Sequence, residues 1–213
     1  SLGGNPTKKL LLYALSGKAG LAIDMDVVEM LSLAVKRGEI SEAVEVLLRP
    51  YPRYDFSPEK MDRVRKKFGF LGEPSTTHIS ENIKDDWEMN DEAINFLANS
   101  IAHADVVITM YSTFFIEAAI FNKPLVAVAF DGSRAYDYWN SARRFFDWDH
   151  LRDIKKQGGI SITHSMEGFL EAINAYIKNP SLHAEGRKRI VSQQCGFTDG
   201  RSGERTARAI MEM

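Results

Sequence analysis

The sequence predicts an α/β protein with a doubly wound, Rossmann-like parallel sheet that is covered by helices on both faces. Apolar, β-branched runs alternate with amphipathic stretches along the whole chain, and no repeat or low-complexity tract interrupts them. Several of these runs are apolar throughout, which is typical of strands buried on both faces. Strands that are separated by helices form parallel sheets, because each helix returns the chain to the same edge.

The first half of the chain supplies the opening strands. The run KLLLYAL is closed by small residues at 16–20, and AVEVLL is closed by Arg49-Pro50-Tyr51-Pro52. Between and after them, apolar side chains recur at helical spacing. The predicted elements are a strand at 9–15, a helix at 26–36, a strand at 43–48, a helix at 58–68 and a polar loop at 69–86.

The second half continues the alternation and ends in helices. The β-branched run DVVIT and the run LVAVAF predict two further buried strands. The predicted elements are a helix at 90–103, a strand at 105–109, a helix at 113–121, a strand at 125–130, a helix at 143–156, a strand at 160–163, and helices at 166–178, 182–194 and 203–213. Ligands of such sheets bind at the carboxyl ends of the strands, so we expect the site there.

Composition narrows the class of protein. The net charge is −2, from 27 basic and 29 acidic residues, which argues against a nucleic-acid binder. The single cysteine, Cys195, favours a reducing compartment, and neither a secretory signal nor an apolar run of about 20 residues is present. We therefore expect a cytoplasmic protein. Because the chain begins without methionine, it is expected to be a piece of something longer.

A strand that runs directly into a helix carries the main functional prediction. Tyr111-Ser112-Thr113 follows the run DVVIT, and a helix begins there. A helix start has unpaired N–H groups and partial positive charge, and the two hydroxyls add donors, so the turn suits phosphate oxygens. Simple capping of the helix by one hydroxyl is an equally sufficient reading.

Two further positions extend this candidate site. Glu117 lies one helical turn after Thr113, where a carboxylate can accept hydrogen bonds from ribose hydroxyls, although a solvated helix glutamate has the same spacing. Arg49 follows the second strand, and its guanidinium suits bidentate contact with phosphate, although a surface ion pair is the alternative.

The ordered set of motifs resembles a known family. The segment ADVVITMYSTFFIEAAIFNKPLVAVAFD, the tail segments Tyr176-Ile177-Lys178-Asn179-Pro180 and Asp199-Gly200-Arg201 with Glu204-Arg205, and the Arg49-Pro50-Tyr51-Pro52 turn resemble the C-terminal domain of GT-B-fold glycosyltransferases. Among these the sequence is most similar to bacterial CDP-glycerol glycerophosphotransferases and surface-polysaccharide transferases. The resemblance covers roughly residues 45 to 210.

This resemblance implies one nucleotide-donor-binding domain over 1–213, which is half of a GT-B enzyme. A CDP- or UDP-linked donor would be its substrate, with no tightly bound cofactor, and an N-terminal domain would supply the acceptor site and any peripheral contact with the inner face of the membrane. The donor-binding residues it implies are Arg49, Tyr111, Ser112, Thr113, Glu117, Asp199 and Gly200, with Gly17 and Lys18 in a loop that approaches the donor. For Asp199 and Gly200, turn chemistry alone is the alternative.

Catalysis itself is left open by the sequence. Where related transferases read Arg-Pro-His-Pro, Tyr51 replaces the histidine, and a phenol with a pKa near 10 is a poorer proton carrier than imidazole. Either Tyr51 only contributes to binding, or a different acid–base group acts; the catalytic residue is unknown, and Tyr51 is the candidate that this motif offers. The alternatives are an enzyme similar to UDP-N-acetylglucosamine 2-epimerase and a non-catalytic nucleotide-binding or scaffold domain. The five histidines show no metal spacing, and the aromatic stretch 136–148 is expected to pack against a partner domain.

Overall fold

The computed structural model describes residues 5–17, 19–51, 58–72, 78–79, 87–88 and 90–212. It contains a six-stranded, all-parallel sheet and a separate antiparallel pair of two-residue strands. The strands are β1 (Lys9–Ala14), β2 (Val44–Arg49), β3 (Leu71–Gly72), β4 (His78–Ile79), β5 (Trp87–Glu88), β6 (Val106–Thr109), β7 (Leu125–Val128) and β8 (Ser161–Thr163).

The order of strands in the sheet is β3-β2-β1-β6-β7-β8. The chain builds outward from β1 to β3 and then returns to place β6 beside β1, with Leu11 opposite Val106. This is the doubly wound order, and the predicted fold class is confirmed. The order reverses between β1 and β6, so a crevice opens where these two strands end.

Helices cover both faces of the sheet. They are α1 (Leu21–Lys36), α2 (Pro58–Phe68), α3 (Asp91–His103), α4 (Phe114–Ile120), the 3₁₀ helix η1 (Ala142–Asp147), α5 (Asp149–Lys156), α6 (Met166–Lys178), α7 (Ala184–Gln194) and α8 (Ser202–Met211). Alternate strand residues point to opposite faces. One face packs on α1, α2 and α6, and the other packs on α3, α4, α5 and α7.

Three predicted elements differ from the structure. Helix α1 begins at Leu21 instead of residue 26, because Asp24 is buried and breaks the apolar pattern by which a helix start is located. The segment 69–86 contains the edge strand β3, which is too short for a periodic signal. The predicted helix at 143–156 is split into η1 and α5, because Trp148 has an extended conformation.

No described helix is long and apolar enough to cross a membrane. Helix α8 differs from the other helices in having no buried residue, and its Ile210 and Met211 are largely exposed.

Candidate functional site

A cavity of about 190 Å³ opens at the carboxyl edge of the sheet, where β1, β2 and β6 end. Five residues predicted from the sequence line it: Arg49, Tyr51, Ser112, Thr113 and Glu117. They come from two segments far apart in sequence, the end of β2 with the turn after it and the turn after β6 with the start of α4. These segments meet because β2 and β6 both flank β1 in parallel. Leu97 of α3, Ala14 at the end of β1 and Leu15 after it complete an apolar wall.

Acceptors within the turn before α4 bind the main-chain N–H groups at the start of that helix. The Ser112 Oγ accepts a hydrogen bond from the Phe114 N–H at 3.1 Å, and the carbonyls of Ser112 and Thr113 accept from Phe115 and Ile116. Capping is therefore what the turn does, and the expectation that N–H groups remain open for an anion is wrong at these three amides. The hydroxyls stay suitable, because Ser112 can still donate its proton and Thr113 is exposed and makes no capping bond.

Opposite charges meet across the cavity. Desolvation by the surrounding protein raises the pKa of the Glu117 carboxyl, and the positive charge of Arg49 opposes that rise. The Arg49 guanidinium carbon also lies 5.9 Å from the centre of the Phe114 ring, at the first residue of α4. A partly buried cation thus stands beside two hydroxyls and a carboxylate, which is an arrangement that can hold an anion and a polyol together.

Tyr51 lies at the rim of this cavity, with 38% of its surface exposed. Its phenol is the only side chain of the Arg49-Pro50-Tyr51 turn besides Arg49 that could exchange a proton. Pro52, which completes the motif, lies outside the described residues, as does Lys18 of the predicted donor loop. Gly17 is described and follows β1 at the crevice, but it does not line the cavity.

Tyr111 faces an aromatic cluster instead of the cavity. Its ring stacks on Phe145 with centroids 3.6 Å apart, and Trp148 meets both rings edge-on. Phe145 and Phe146 are buried in this chain's own core, so the expectation of packing on a partner domain is wrong for these two residues. For the rest of the stretch 136–148 it stays a prediction. In the same stretch Trp139 is 71% exposed.

A buried carboxylate that no sequence pattern marked lies beneath the crevice. Asp24 of α1 is fully buried, and its Oδ2 accepts from the Ser16 main-chain N–H at 2.6 Å and from the Ser16 hydroxyl. Its Oδ1 accepts from the Tyr13 hydroxyl at 2.9 Å. Burial raises the pKa of Asp24 to about 6, although these hydrogen bonds lower it. The burial of Asp24 is visible only in the folded structure, because an acidic residue in the first turn of a helix is ordinarily explained by the helix dipole.

Two further carboxylates, Asp131 and Asp26, fix the long loop after β7. Asp131 is buried and accepts from the Ser141 hydroxyl and the Ala142 N–H, both at 2.8 Å. Asp26 of α1 accepts from the N–H and hydroxyl of Ser133 at 2.6 and 2.8 Å. The Asp131-Gly132 pair after a strand was the available sequence signal, since Gly132 has a φ of 74° and an added Cβ would overlap Asp26.

Asp199 and Gly200 lie outside the cavity lining. Asp199 accepts from the Arg201 N–H at 3.1 Å and pairs with Arg205, and the hydrogen bond from the Arg205 side chain lowers the pKa of Asp199. Arg205 in turn covers the Phe197 ring at 4.1 Å, and Gly200 has a φ of 73°. These contacts form a local turn before α8 in which Asp199 binds residues that follow it closely in sequence. A donor-binding role for Asp199 and Gly200 stays a prediction.

The chain matches a known protein family over most of its second half. A family model described as CDP-Glycerol:Poly(glycerophosphate) glycerophosphotransferase matches residues 79–212, which is more than half of the chain. This confirms the resemblance inferred from the motifs. No curated protein matches the sequence.

Solved structures share the fold at low identity. A variant of the wall teichoic acid polymerase TagF soaked with CDPG has a TM-score of 0.55 and 18% identity, covering 99% of this chain and 42% of that chain. A putative UDP-N-acetylglucosamine 2-epimerase from Listeria monocytogenes has a TM-score of 0.56 and 14% identity, covering 98% and 45%. MnaA from S. aureus, in a co-structure with UDP, has a TM-score of 0.55 and 15% identity, covering 96% and 46%. The chain therefore spans less than half the length of these proteins.

Proposed function

Because this chain belongs to the CDP-glycerol:poly(glycerophosphate) glycerophosphotransferase family, we propose that its cavity binds the nucleotide diphosphate of an activated donor for transfer. One observation carries the proposal. Two segments that are distant in sequence line the same cavity at the edge of a doubly wound sheet, and they contribute Arg49, Ser112, Thr113 and Glu117. That edge is where such sheets bind nucleotides.

Each residue has a separate role in this proposal. The Arg49 guanidinium neutralises the diphosphate, and the hydroxyls of Ser112 and Thr113 donate hydrogen bonds to its oxygens. Glu117 accepts a hydrogen bond from a ribose hydroxyl, since it lies one turn along α4 from Thr113. The cavity is smaller than most nucleotide sites, so the base and the transferred group extend beyond it over the open edge.

The proposed reaction is group transfer to a surface polymer. With CDP-glycerol, a polymer hydroxyl oxygen attacks the phosphorus that carries glycerol; a new P–O bond forms, the bond to CMP breaks, and the hydroxyl proton passes to a base. Arg49 would stabilise the negative charge that develops on the leaving phosphate. A sugar nucleotide donor requires the same help at its leaving diphosphate. The acceptor, the base and any contact with the membrane surface are assigned to a further domain, since the solved relatives are more than twice as long as this chain.

Isothermal titration against CDP-glycerol, UDP-N-acetylglucosamine and a GDP-sugar tests the proposal. We expect binding of at least one cytidine or uridine donor, and a loss of about tenfold or more in affinity for Ser112→Ala and Glu117→Ala. Glu167→Gln, an exposed glutamate of α6, is the control and should leave the affinity unchanged. Absence of binding to every donor, or equal affinities in all variants, contradicts the proposal.

A further experiment separates the transferase from the other readings of the sequence. The longer native protein is supplied with CDP-glycerol and a glycerol-phosphate primer, and primer extension is measured. Extension supports transfer. Solvent deuterium at C2 of a UDP-sugar would instead indicate an epimerase. Donor binding without transfer or hydrolysis would indicate a scaffold. The scaffold outcome is tested because Tyr51 stands in place of histidine.

A further inference from the structure

Asp24 closes the loop between β1 and α1 from both ends. Its carboxylate accepts from the N–H and the hydroxyl of Ser16, where the loop begins. Its main-chain N–H donates to the Gly20 carbonyl at 2.9 Å, where the loop ends, and Gly20 N–H donates to Gly17. Of the residues that the structure describes in this loop, the first and last are therefore both fixed by one side chain and its backbone.

This loop is packed against the residues that precede the donor turn. A Cβ added to Gly20 would lie 3.1 Å from the Met110 sulfur and 3.1 Å from a ring carbon of Tyr111, so both side chains lie close to the loop at Gly20. Tyr111 is the residue before Ser112, and its ring also packs on Phe145 and Trp148. A shift of the loop would therefore move Tyr111, and Ser112 with it.

The burial of Asp24 has a free-energy cost that filling space would not require. Asp24 is fully buried, and a buried carboxylate costs free energy that a well-packed apolar residue does not. The groups that face it are the Tyr13 hydroxyl from β1 and the two donors of Ser16 from the loop, and no charged side chain among the described residues contributes to its pKa. The pKa of Tyr13 is itself raised well above its usual value by burial and by Asp24.

We propose that Asp24 is a positioning residue of the donor site: its carboxylate holds Ser16, whose hydroxyl lies against Gly20, and thereby sets the place of Tyr111 and of the Ser112 turn. It does not touch the donor itself. This inference rests on the proposed function for its consequence in binding, but its structural part can be measured without any donor.

The binding test uses CDP-glycerol, whose two phosphates carry no proton that titrates near neutral pH, and the variant Asp24→Asn. The amide keeps the shape but cannot accept from both Ser16 donors and Tyr13 as a carboxylate does. We expect affinity about tenfold weaker at pH near 7.5, while the urea midpoint stays equal or rises because a buried charge is gone. The wild-type affinity should fall toward pH 5 as Asp24 gains a proton, and the variant should lose that component. Glu117 titrates in both proteins, so it cancels in the comparison.

Amide hydrogen exchange gives the donor-independent test. In Asp24→Asn, exchange should quicken in residues 15–17 and also in 110–113, while α6 keeps its protection. Faster exchange confined to the loop overturns the inference, because the loop would then move without the donor turn. If Ser112→Ala and Glu117→Ala weaken CDP-glycerol binding but Asp24→Asn does not, the inference fails and the proposed function stands. If no protein binds the donor, the proposed function fails, and the exchange result still decides the coupling.

Discussion

The buried side chain of Arg187 donates a hydrogen bond from its Nε to the Asn122 Oδ1 over 2.9 Å. The Nη1 and Nη2 groups donate to the carbonyls of Leu182 and Pro180 at 2.6 and 2.8 Å. One cation thus ties the turn after α4, where Asn122 has a φ of 52°, to the turn before α7. Because desolvation lowers the pKa of this guanidinium, its charge depends on these acceptors for compensation.

Arg187→Ala should therefore be strongly destabilising. It removes three hydrogen bonds, leaves their acceptors unsatisfied and opens a cavity, so we expect a loss of about 3–4 kcal/mol in the free energy of unfolding, measured by urea denaturation. Lys188→Ala is the matched control: the Lys188 side chain is exposed and forms an ion pair with Glu185, so the change should stay within about 0.5 kcal/mol. Equal effects of the two changes would contradict the role given to Arg187.

Gly186→Ala should also destabilise, for a different reason. A Cβ at Gly186 would overlap the carbonyl of Gly158, so helix α7 would have to move away from the turn before β8. We expect a cost of about 1–3 kcal/mol from overpacking, seen in the thermal or urea midpoint. Gly168→Ala in α6 is the control, because its Cβ would lie 3.5 Å from the nearest atom, and it should be neutral or stabilising.

Asp24 should make stability rise on mild acidification. Its folded-state pKa of about 6 lies above the ordinary aspartate value of 3.8, so the folded protein takes up a proton first as the pH falls. Its contribution is therefore complete below the unfolded pKa and is lost as the pH rises through about 6. Between pH about 7 and about 4, wild type should gain about 2–3 kcal/mol relative to Asp24→Asn. Parallel pH profiles of the two proteins in urea denaturation would show that Asp24 does not titrate as described.

Arg49→Lys should weaken donor binding even though the charge is kept. An ammonium group cannot contact two phosphate oxygens with the planar fork of a guanidinium, so we expect an affinity for CDP-glycerol about tenfold lower. Arg49→Ala should lose more, and its affinity should respond less to added salt than that of wild type. Arg37→Ala, at the exposed far end of α1, is the control for a general charge effect. An unchanged affinity in Arg49→Ala would exclude Arg49 from the phosphate site.

The alternation of strands and helices was readable from the sequence because local periodicity encodes it. Each apolar run becomes a strand within a residue or two of its predicted bounds in β1, β2 and β6. The shared cavity of Arg49, Ser112 and Glu117 was also predictable, because residues after parallel strands meet at one edge and residues four apart meet on a helix.

The fold class, the family and the sheet edge of the candidate site could thus be predicted from local patterns and motifs. Three features appear only in the folded chain: the burial of Asp24 and Arg187, the stack of Tyr111 on Phe145, and the ion pair that closes the Asp199 turn. The physical reason is that a polar side chain is buried only where distant partners satisfy it, and the chain does not mark those partners locally. Periodicity records which face of an element is apolar, but it carries no record of which charged residue the assembled fold encloses.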